Sequence, residues 1–338
     1  MKKIDLLARI EAAVQKYKMF VPGERILIAC SGGADSVALS HLLKELAPRL
    51  RIRLGLIHFD HRLRRGSEKD SKFVKNLARH LGVPFYSGRR KLSQKIAEKG
   101  LSPEESARKI RYKFFEAVAR KTRIKKIALA HHQDDQAETV LMRLLQGTGL
   151  RGLQGIRPMI RMKGITFVRP LMGVKRVEIR DFLKKHSLAY REDATNRSVR
   201  FLRNRIRHRL LPFLEKEFNP QIRQSLCRLA ETTVRESLGL DEWVTRQGKT
   251  YIKARKNGMV WLDRERFLSL PGALQFRLLD QILHLLDLRS GLDFESWERI
   301  EEGFRRGRVR MTLPRNLDLR LTGKRFTIQV CLRPRRKK

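Results

Sequence analysis

The 338-residue chain contains only three cysteines, Cys30, Cys227 and Cys331, and they are widely spaced. That spacing provides neither a disulfide framework nor a Cys-x-x-Cys zinc or sulfur-transfer site. No run of about 18 apolar residues occurs, so no membrane span is expected. The opening Met1-Lys2-Lys3-Ile4-Asp5 leads into an amphipathic pattern broken by Arg9 and Glu11, unlike a signal peptide. A cytoplasmic location is therefore expected. Acidic side chains are scarce, with 35 Asp plus Glu against 76 Lys plus Arg, a formal net charge of +41. An excess of that size implies a polyanionic partner, nucleic acid first, unless the whole proteome is basic. A hydrophobic content of 41% argues against disorder, and the length allows two domains with real cores.

Strand-like and helix-like segments alternate through the first half. Arg25–Cys30, Ile52–Phe59, Val83–Ser87 and Lys126–Ala130 read as strands, and Ile165–Val168 as a further one. Ile4–Tyr17, Ser36–Leu46, Ser67–Leu81, residues 102–121 and Asp134–Gln146 read as helices. The start at Ser102-Pro103-Glu104-Glu105 supplies a capping serine, a first-turn proline and acids beside the dipole. This alternation predicts an α/β fold with a doubly wound, mainly parallel sheet, whose ligands bind beyond the carboxyl ends of the strands. Glycines 147, 149, 152, 155 and 164 suggest a mobile active-site loop. After about residue 215 the pattern turns mostly helical, with Ala273–Leu286 and Phe294–Phe304, and closes on three short strand-like segments near residues 308–330. Two domains are expected, a catalytic one over 1–215 and a smaller, mostly helical α+β one over 216–338.

One segment is rich in chemistry. The apolar run ending at Cys30 feeds Ser31-Gly32-Gly33-Ala34-Asp35-Ser36 and then a helix-like pattern. Glycines let backbone approach an anion, and a new helix offers unpaired N–H groups and the positive end of its dipole. The lysine of the familiar triphosphate-cradling loop is missing. Asp35 stands there instead, and a carboxylate beside phosphates is repulsive unless Mg²⁺ lies between them. Such a loop suits gripping and releasing pyrophosphate.

Other clusters fall at the remaining strand ends. His58 and Phe59, followed by Asp60-His61-Arg62-Leu63-Arg64, end the second strand, where backbone could line an adenine pocket. Arg108, Arg111 and Tyr112 share a helical face, which suits a phosphate clamp or equally a solvated surface. His131, Asp135 and Glu138, four and three apart, would gather on one face to meet an ammonium, a Mg²⁺ ion or a proton. Arg197, Arg200, Arg203 and Arg207 recur at helical spacing, with Arg205 and Arg209 on the flanking face and Leu202, Ile206, Leu210 and Phe213 as an opposite buried stripe. That pattern resembles a phosphate-backbone footprint. The basic tail from Arg333 to Lys338 could be a second contact or a disordered end.

The motif at Ser31–Ser36 resembles the PP-loop of ATP pyrophosphatases. With the other segments in order, the chain from about Arg25 to Arg209 resembles the tRNA(Ile)-lysidine synthetase family. The similarity also rests on Ser67 and Asp70, Glu105-x-Ala-Arg-x-x-Arg-Tyr, Arg143, Gly147-Thr148-Gly149, Arg169-Pro170-Leu171, Asp193-x-x-Asn196 and Arg203-Asn204-x-x-Arg207. The resemblance implies a further C-terminal domain in longer members of that family, which a chain of 338 residues is expected to be too short to contain.

The resemblance implies ligation of free lysine to C2 of the wobble cytidine in tRNA(Ile) with a CAU anticodon. ATP adenylates the cytosine O2, pyrophosphate leaves, and the lysine ε-amine displaces AMP. On that account Ser31, Gly32, Gly33, Ala34, Asp35 and Ser36 bind ATP with His58 and Phe59, and Asp35 holds Mg²⁺. Asp35, Arg111, Asp135 and Glu138 are the catalytic candidates, with Arg108 an alternative to Arg111 at the adenylated intermediate. His131, Asp135 and Glu138 would hold lysine, while Arg108, Arg203, Asn204 and Arg207 would contact tRNA. A homodimer is compatible with the sequence. Rival readings are a 2-thiocytidine synthetase-like enzyme, which would want paired cysteines, an amidating synthetase on a small molecule, and a non-catalytic basic nucleic-acid-binding protein.

Overall fold

The computed structural model describes residues 5–60, 67–89, 103–191, 201–256, 259–285, 294–307, 310–313, 317–322 and 325–330. His61, Arg62, Leu63, Arg64, Ser102, Asp193, Asn196, Arg197, Arg200, Cys331 and the basic tail lie outside the described residues.

Two compact units are present, one of Met1–Thr148 with Gly152–Ala230, the other of Glu231–Lys338 with Gly149–Arg151. The first holds six strands: β1 (Arg25–Ala29), β2 (Arg53–Asp60), β3 (Phe85–Arg89), β4 (Lys126–Ala128), β5 (Met159–Met162) and β6 (Ile165–Val168). They are ordered β3-β2-β1-β4-β6-β5, and all neighbours are parallel except the β5–β6 hairpin. Apolar residues in β1 and β4 leave both faces needing cover, which is why parallel strands bury on two sides. Ile26, Ile28, Leu42, Leu43 and Leu56 form one core layer, and Leu27, Ile57, Phe115, Ile127 and Phe167 form the other.

The helices of this unit are α1 (Leu6–Lys16), α2 (Ala34–Leu50), α3 (Ser67–His80), α4 (Pro103–Thr122), α5 (Gln133–Leu145), α6 (Leu150–Leu153), α7 (Arg176–Lys185), α8 (Leu202–Arg205) and α9 (Leu211–Glu217), and then α10 (Ile222–Tyr251) begins. A single π turn, Ile206–Leu210, joins α8 to α9. The arginine-rich segment is thus not one uniform α-helix, and Phe213, expected in a buried stripe, is 53% exposed. Within the glycine-rich span, residues 152–156 are hydrogen-bonded to side chains of α5. Gln136 donates to the Gln154 carbonyl at 3.2 Å and accepts the Ile156 N–H at 2.6 Å. Arg143 donates to the carbonyls of Gly152 and Gly155 at 2.6 and 2.9 Å.

The second unit is built on α11 (Arg264–Leu268), α12 (Gly272–Leu285), α13 (Phe294–Arg305) and five antiparallel strands. These are β7 (Ile252–Lys256), β8 (Met259–Asp263), β9 (Arg310–Leu313), β10 (Leu317–Thr322) and β11 (Arg325–Val330), ordered β7-β8-β11-β10-β9. Three of these strands are visible in the sequence as alternating segments, while β7 and β8 are additional. Phe267, Phe304 and Phe326 pack ring against ring at its centre, with centroids 5.1–5.4 Å apart.

Strand order reverses beside β1, with β2 on one side and β4 on the other. In an open α/β sheet that reversal opens a crevice at the carboxyl ends. The loops after β1 and β4 both enter it, so Ser31–Ser36 and His131–Glu138 meet although a hundred residues separate them.

Candidate active site

The loop after β1 is organised from within. Ser36, 6% exposed, donates its hydroxyl to the Gly33 carbonyl at 2.9 Å and accepts the Ser31 N–H at 3.1 Å. Ser31 Oγ lies 3.2 Å from Ser36 Oγ and accepts the Gly33 N–H at 3.3 Å. Ser36 therefore shapes the cradle, and its hydrogen is already committed to backbone. Gly33 caps α2 without a side-chain acceptor, which leaves the first-turn N–H groups of a 17-residue helix for an anion.

Gly32 has φ +89°, a left-handed conformation that other residues adopt only with strain. A β-carbon there would meet Phe73 at 3.4 Å and Val74 at 3.5 Å. The Gly32 carbonyl accepts the Arg191 N–H at 2.9 Å, and Asp70 accepts from Arg191 Nε at 3.1 Å. Gly32→Ala should therefore weaken ATP binding and destabilise the unit by about 1 kcal/mol or more through φ strain. Nucleotide titration and denaturant melts check this, and unaltered ATP affinity would count against the loop as the phosphate cradle.

His58, at the end of β2, is 5% exposed and has Nδ1 2.8 Å from the Cys30 carbonyl. A carbonyl only accepts, so Nδ1 carries the hydrogen and Nε2 is left as an acceptor. That buried Nε2 has no hydrogen-bond partner among the described residues. Phe59 stacks on Phe114 with centroids 5.1 Å apart.

The loop after β4 splits its two histidines by environment. His132 is 1% exposed, with Nε2 3.6 Å from Asp35 Oδ2 and 3.5 Å from Asp135 Oδ2, and Nδ1 3.6 Å from Asp134 Oδ2. Burial pushes its pKa down, but Asp134, Asp35 and Asp135 together push it up to about 10. His132 is an imidazolium at neutral pH. His131 goes the other way: burial above all, and the cations Arg169, Arg203 and Arg108, pull it down to about 3 against Asp135. Arg169 donates from Nε to His131 Nδ1 at 3.3 Å, so the neutral His131 ring carries its hydrogen on Nε2.

Asp135 and Glu138 project from the first two turns of α5 into paired guanidiniums. Arg203 reaches Glu138 Oε2 at 3.0 Å and Asp135 Oδ1 at 3.1 Å. Arg207 reaches Glu138 Oε1 at 2.5 Å and Oε2 at 2.8 Å, and Asp135 Oδ1 at 3.3 Å. Asp134 binds the Arg176 N–H at 2.9 Å and Arg223 at 3.1 Å. Burial tends to raise the Asp135 pKa, but the His132 imidazolium and Arg203 hold it below the usual carboxylate range. Asp35, Asp134, Asp135 and Glu138 thus face His132, Arg203, Arg207 and Arg223, and Arg223 is shared with Glu215 at 2.7 Å.

The site unites the loop residues with His131, Asp135, Glu138, Arg203 and Arg207. Arg203 and Arg207, read from sequence as tRNA contacts, turn inward onto carboxylates, and Asn204 between them is half-buried. Arg108 is exposed, stacks on Tyr112 at 5.5 Å, and lies near enough to depress His131 and Arg169. Arg111 is exposed one turn further along α4. Reasoning from sequence passed over His132 as a charge centre and Asp134 and Arg223 as partners, because only the sheet brings Asp35 beside them.

For Mg²⁺, no three His, Cys, Asp or Glu side chains converge as a metal cage among the described residues. Asp35, 36% exposed in the first turn of α2, is an accessible single carboxylate. That fits an ion held by one or two carboxylates together with substrate phosphates.

A PP-loop domain model matches residues 6–214. A tRNA(Ile)-lysidine synthase from Symbiobacterium thermophilum is 39% identical over 283 residues, covering 82% of this chain and 58% of that protein. Another from Clostridioides difficile is 31% identical over 314 residues, covering 91% and 67%. The chain thus spans 58% and 67% of the lengths of these two relatives. Among solved structures, the U34-tRNA thiolase NcsA from Methanococcus maripaludis superposes with a TM-score of 0.58 at 16% identity, over 68% of this chain and 78% of that one, a likeness of fold alone. The Ser31–Ser36 loop, the sheet order and these matches together show that the chain belongs to the PP-loop family, with relatives named tRNA(Ile)-lysidine synthases.

Proposed function

We propose that the protein uses ATP to join free L-lysine to C2 of the wobble cytidine of tRNA(Ile) with a CAU anticodon. The observation that carries this reading is the meeting, at one crevice, of an anion cradle with an acidic pair gripped by arginines. It is supported by the relatives' names and by the +41 charge.

In the first step cytosine O2 attacks the α-phosphorus, an O–P bond forms, the α–β phosphoanhydride breaks and pyrophosphate departs. The Gly32-Gly33 turn and the N-terminus of α2 receive the departing charge, and the buried Nε2 of His58 offers the adenosine an acceptor. Mg²⁺ held by Asp35 and the phosphates would neutralise charge there. Arg108 and Arg111 stand ready for the adenylated intermediate. In the second step the lysine ε-ammonium first gives a proton to Glu138, the neutral nitrogen attacks C2, the C2–O bond breaks, AMP leaves, and the nitrogen sheds its second proton to solvent. Asp135 and Glu138 hold the lysine ammonium. The suppressed basicity of Asp135 makes it a better holder of charge than a proton acceptor. Burial pushes the Cys30 thiol pKa up, which makes it a poor sulfur carrier and weighs against the thiolation alternative.

Radiolabelled lysine should enter isoleucine tRNA bearing a CAU anticodon, dependent on ATP, with AMP and pyrophosphate released. No incorporation into that tRNA would remove the proposal.

A further inference from the structure

The helical run after residue 201 has two uses for its arginines. Arg203 and Arg207 face the site carboxylates, whereas Arg205 and Arg209 are exposed and border an open groove of about 590 Å³. Its walls are apolar, formed by Leu145, Ile206, Leu210 and Phe213, and no acidic residue lines it. Leu145 is 57% exposed and Phe213 53%, a large apolar surface to leave in water. The π turn Ile206–Leu210 contains Arg207 and Arg209, one from each set, and such turns recur at functional sites.

The groove also lies close to the chemistry. Leu145 follows Glu138 by seven residues on α5, so it sits two turns along the same face, about 10 Å away along the axis. An occupant there would adjoin the substrate in the site.

Apolar walls beneath exposed guanidiniums match one ligand class particularly well. A splayed nucleotide places a base on the apolar surface and its phosphates on the arginines. A protein partner would need separate apolar and acidic groups to meet this lining, whereas one nucleotide carries both a flat base and a phosphate. We infer that this groove seats an unpaired nucleotide flanking the modified base, with Phe213 as its stacking surface and Arg205 and Arg209 on its phosphates. The inference rests on the RNA-substrate reading and moves the RNA contact from Arg203 and Arg207 to the opposite side of the same segment.

The test uses the full chain and a labelled CAU anticodon stem-loop, with affinity measured across a salt series. Phe213→Ala should weaken binding about 5- to 150-fold, and Phe213→Tyr should restore it. Arg205→Gln with Arg209→Gln should lower the logarithmic salt slope by about 1.4, since each single-strand phosphate contributes about 0.7. ATP affinity should be unchanged in all of them, which reports an intact fold. If the unaltered protein binds the RNA and these variants bind equally well, the groove assignment is overturned while the RNA reading stands. If the unaltered protein does not bind the stem-loop, the RNA reading itself falls, and this inference with it. If the variants instead lose self-association in sedimentation with RNA affinity intact, the groove is a contact between copies and the inference is wrong.

Discussion

Replacing Glu138 by Ala should give the largest combined loss of stability and activity. Glu138 is 1% exposed and accepts from both Arg203 and Arg207. Removing it leaves two guanidiniums facing only Asp135, and breaking a buried pair by deleting one partner costs about 3–5 kcal/mol. The first unit should therefore melt at markedly lower denaturant concentration. Glu138→Gln keeps the shape and some hydrogen bonding while removing the charge, so it separates folding from function. In that variant the KM for lysine should rise well above any change in the KM for ATP, because an ammonium has lost half of its acidic seat. A folded Gln variant with normal lysine dependence would overturn the lysine-binding role.

Asp35→Ala should slow pyrophosphate release by about a hundredfold or more, the scale of losing one electrostatic support for developing phosphate charge. Asp35 is partly exposed and, among the described residues, its ion pair is with His132, so its loss should leave the fold largely intact. The effect should appear in the rate of the first step and in its Mg²⁺ requirement. Rapid-quench measurement of pyrophosphate with wild-type-like rates would remove Asp35 from the phosphate site.

How far the site is legible in the sequence depends on its parts. The Ser31–Ser36 turn is local: strand, glycines and helix start are contiguous, so backbone preferences alone announce a cradle. The clustering of Asp135 and Glu138 follows from helical spacing. The pairing of Arg203 and Arg207 with those carboxylates does not, because an arginine row of this spacing suits either phosphate or carboxylate equally. The buried stripe expected from Leu202 to Phe213 assumes a uniform 3.6-residue period, and the π turn at Ile206–Leu210 changes that period. Glycines 152 and 155 suggest freedom of movement, yet Arg143 and Gln136 reach across and bind that stretch.

By itself, the order of apolar and polar residues determined the strand–helix alternation, the parallel sheet and the loop built for an anion, since these depend on neighbours along the chain. Only the tertiary structure decided which charges meet. The reversal of strand order beside β1 carries Asp35 to within 3.6 Å of His132 and so turns one of two adjacent histidines into a cation while its neighbour stays neutral. Charge state depends on burial and on the sign of groups distant in sequence, and neither is written in spacing.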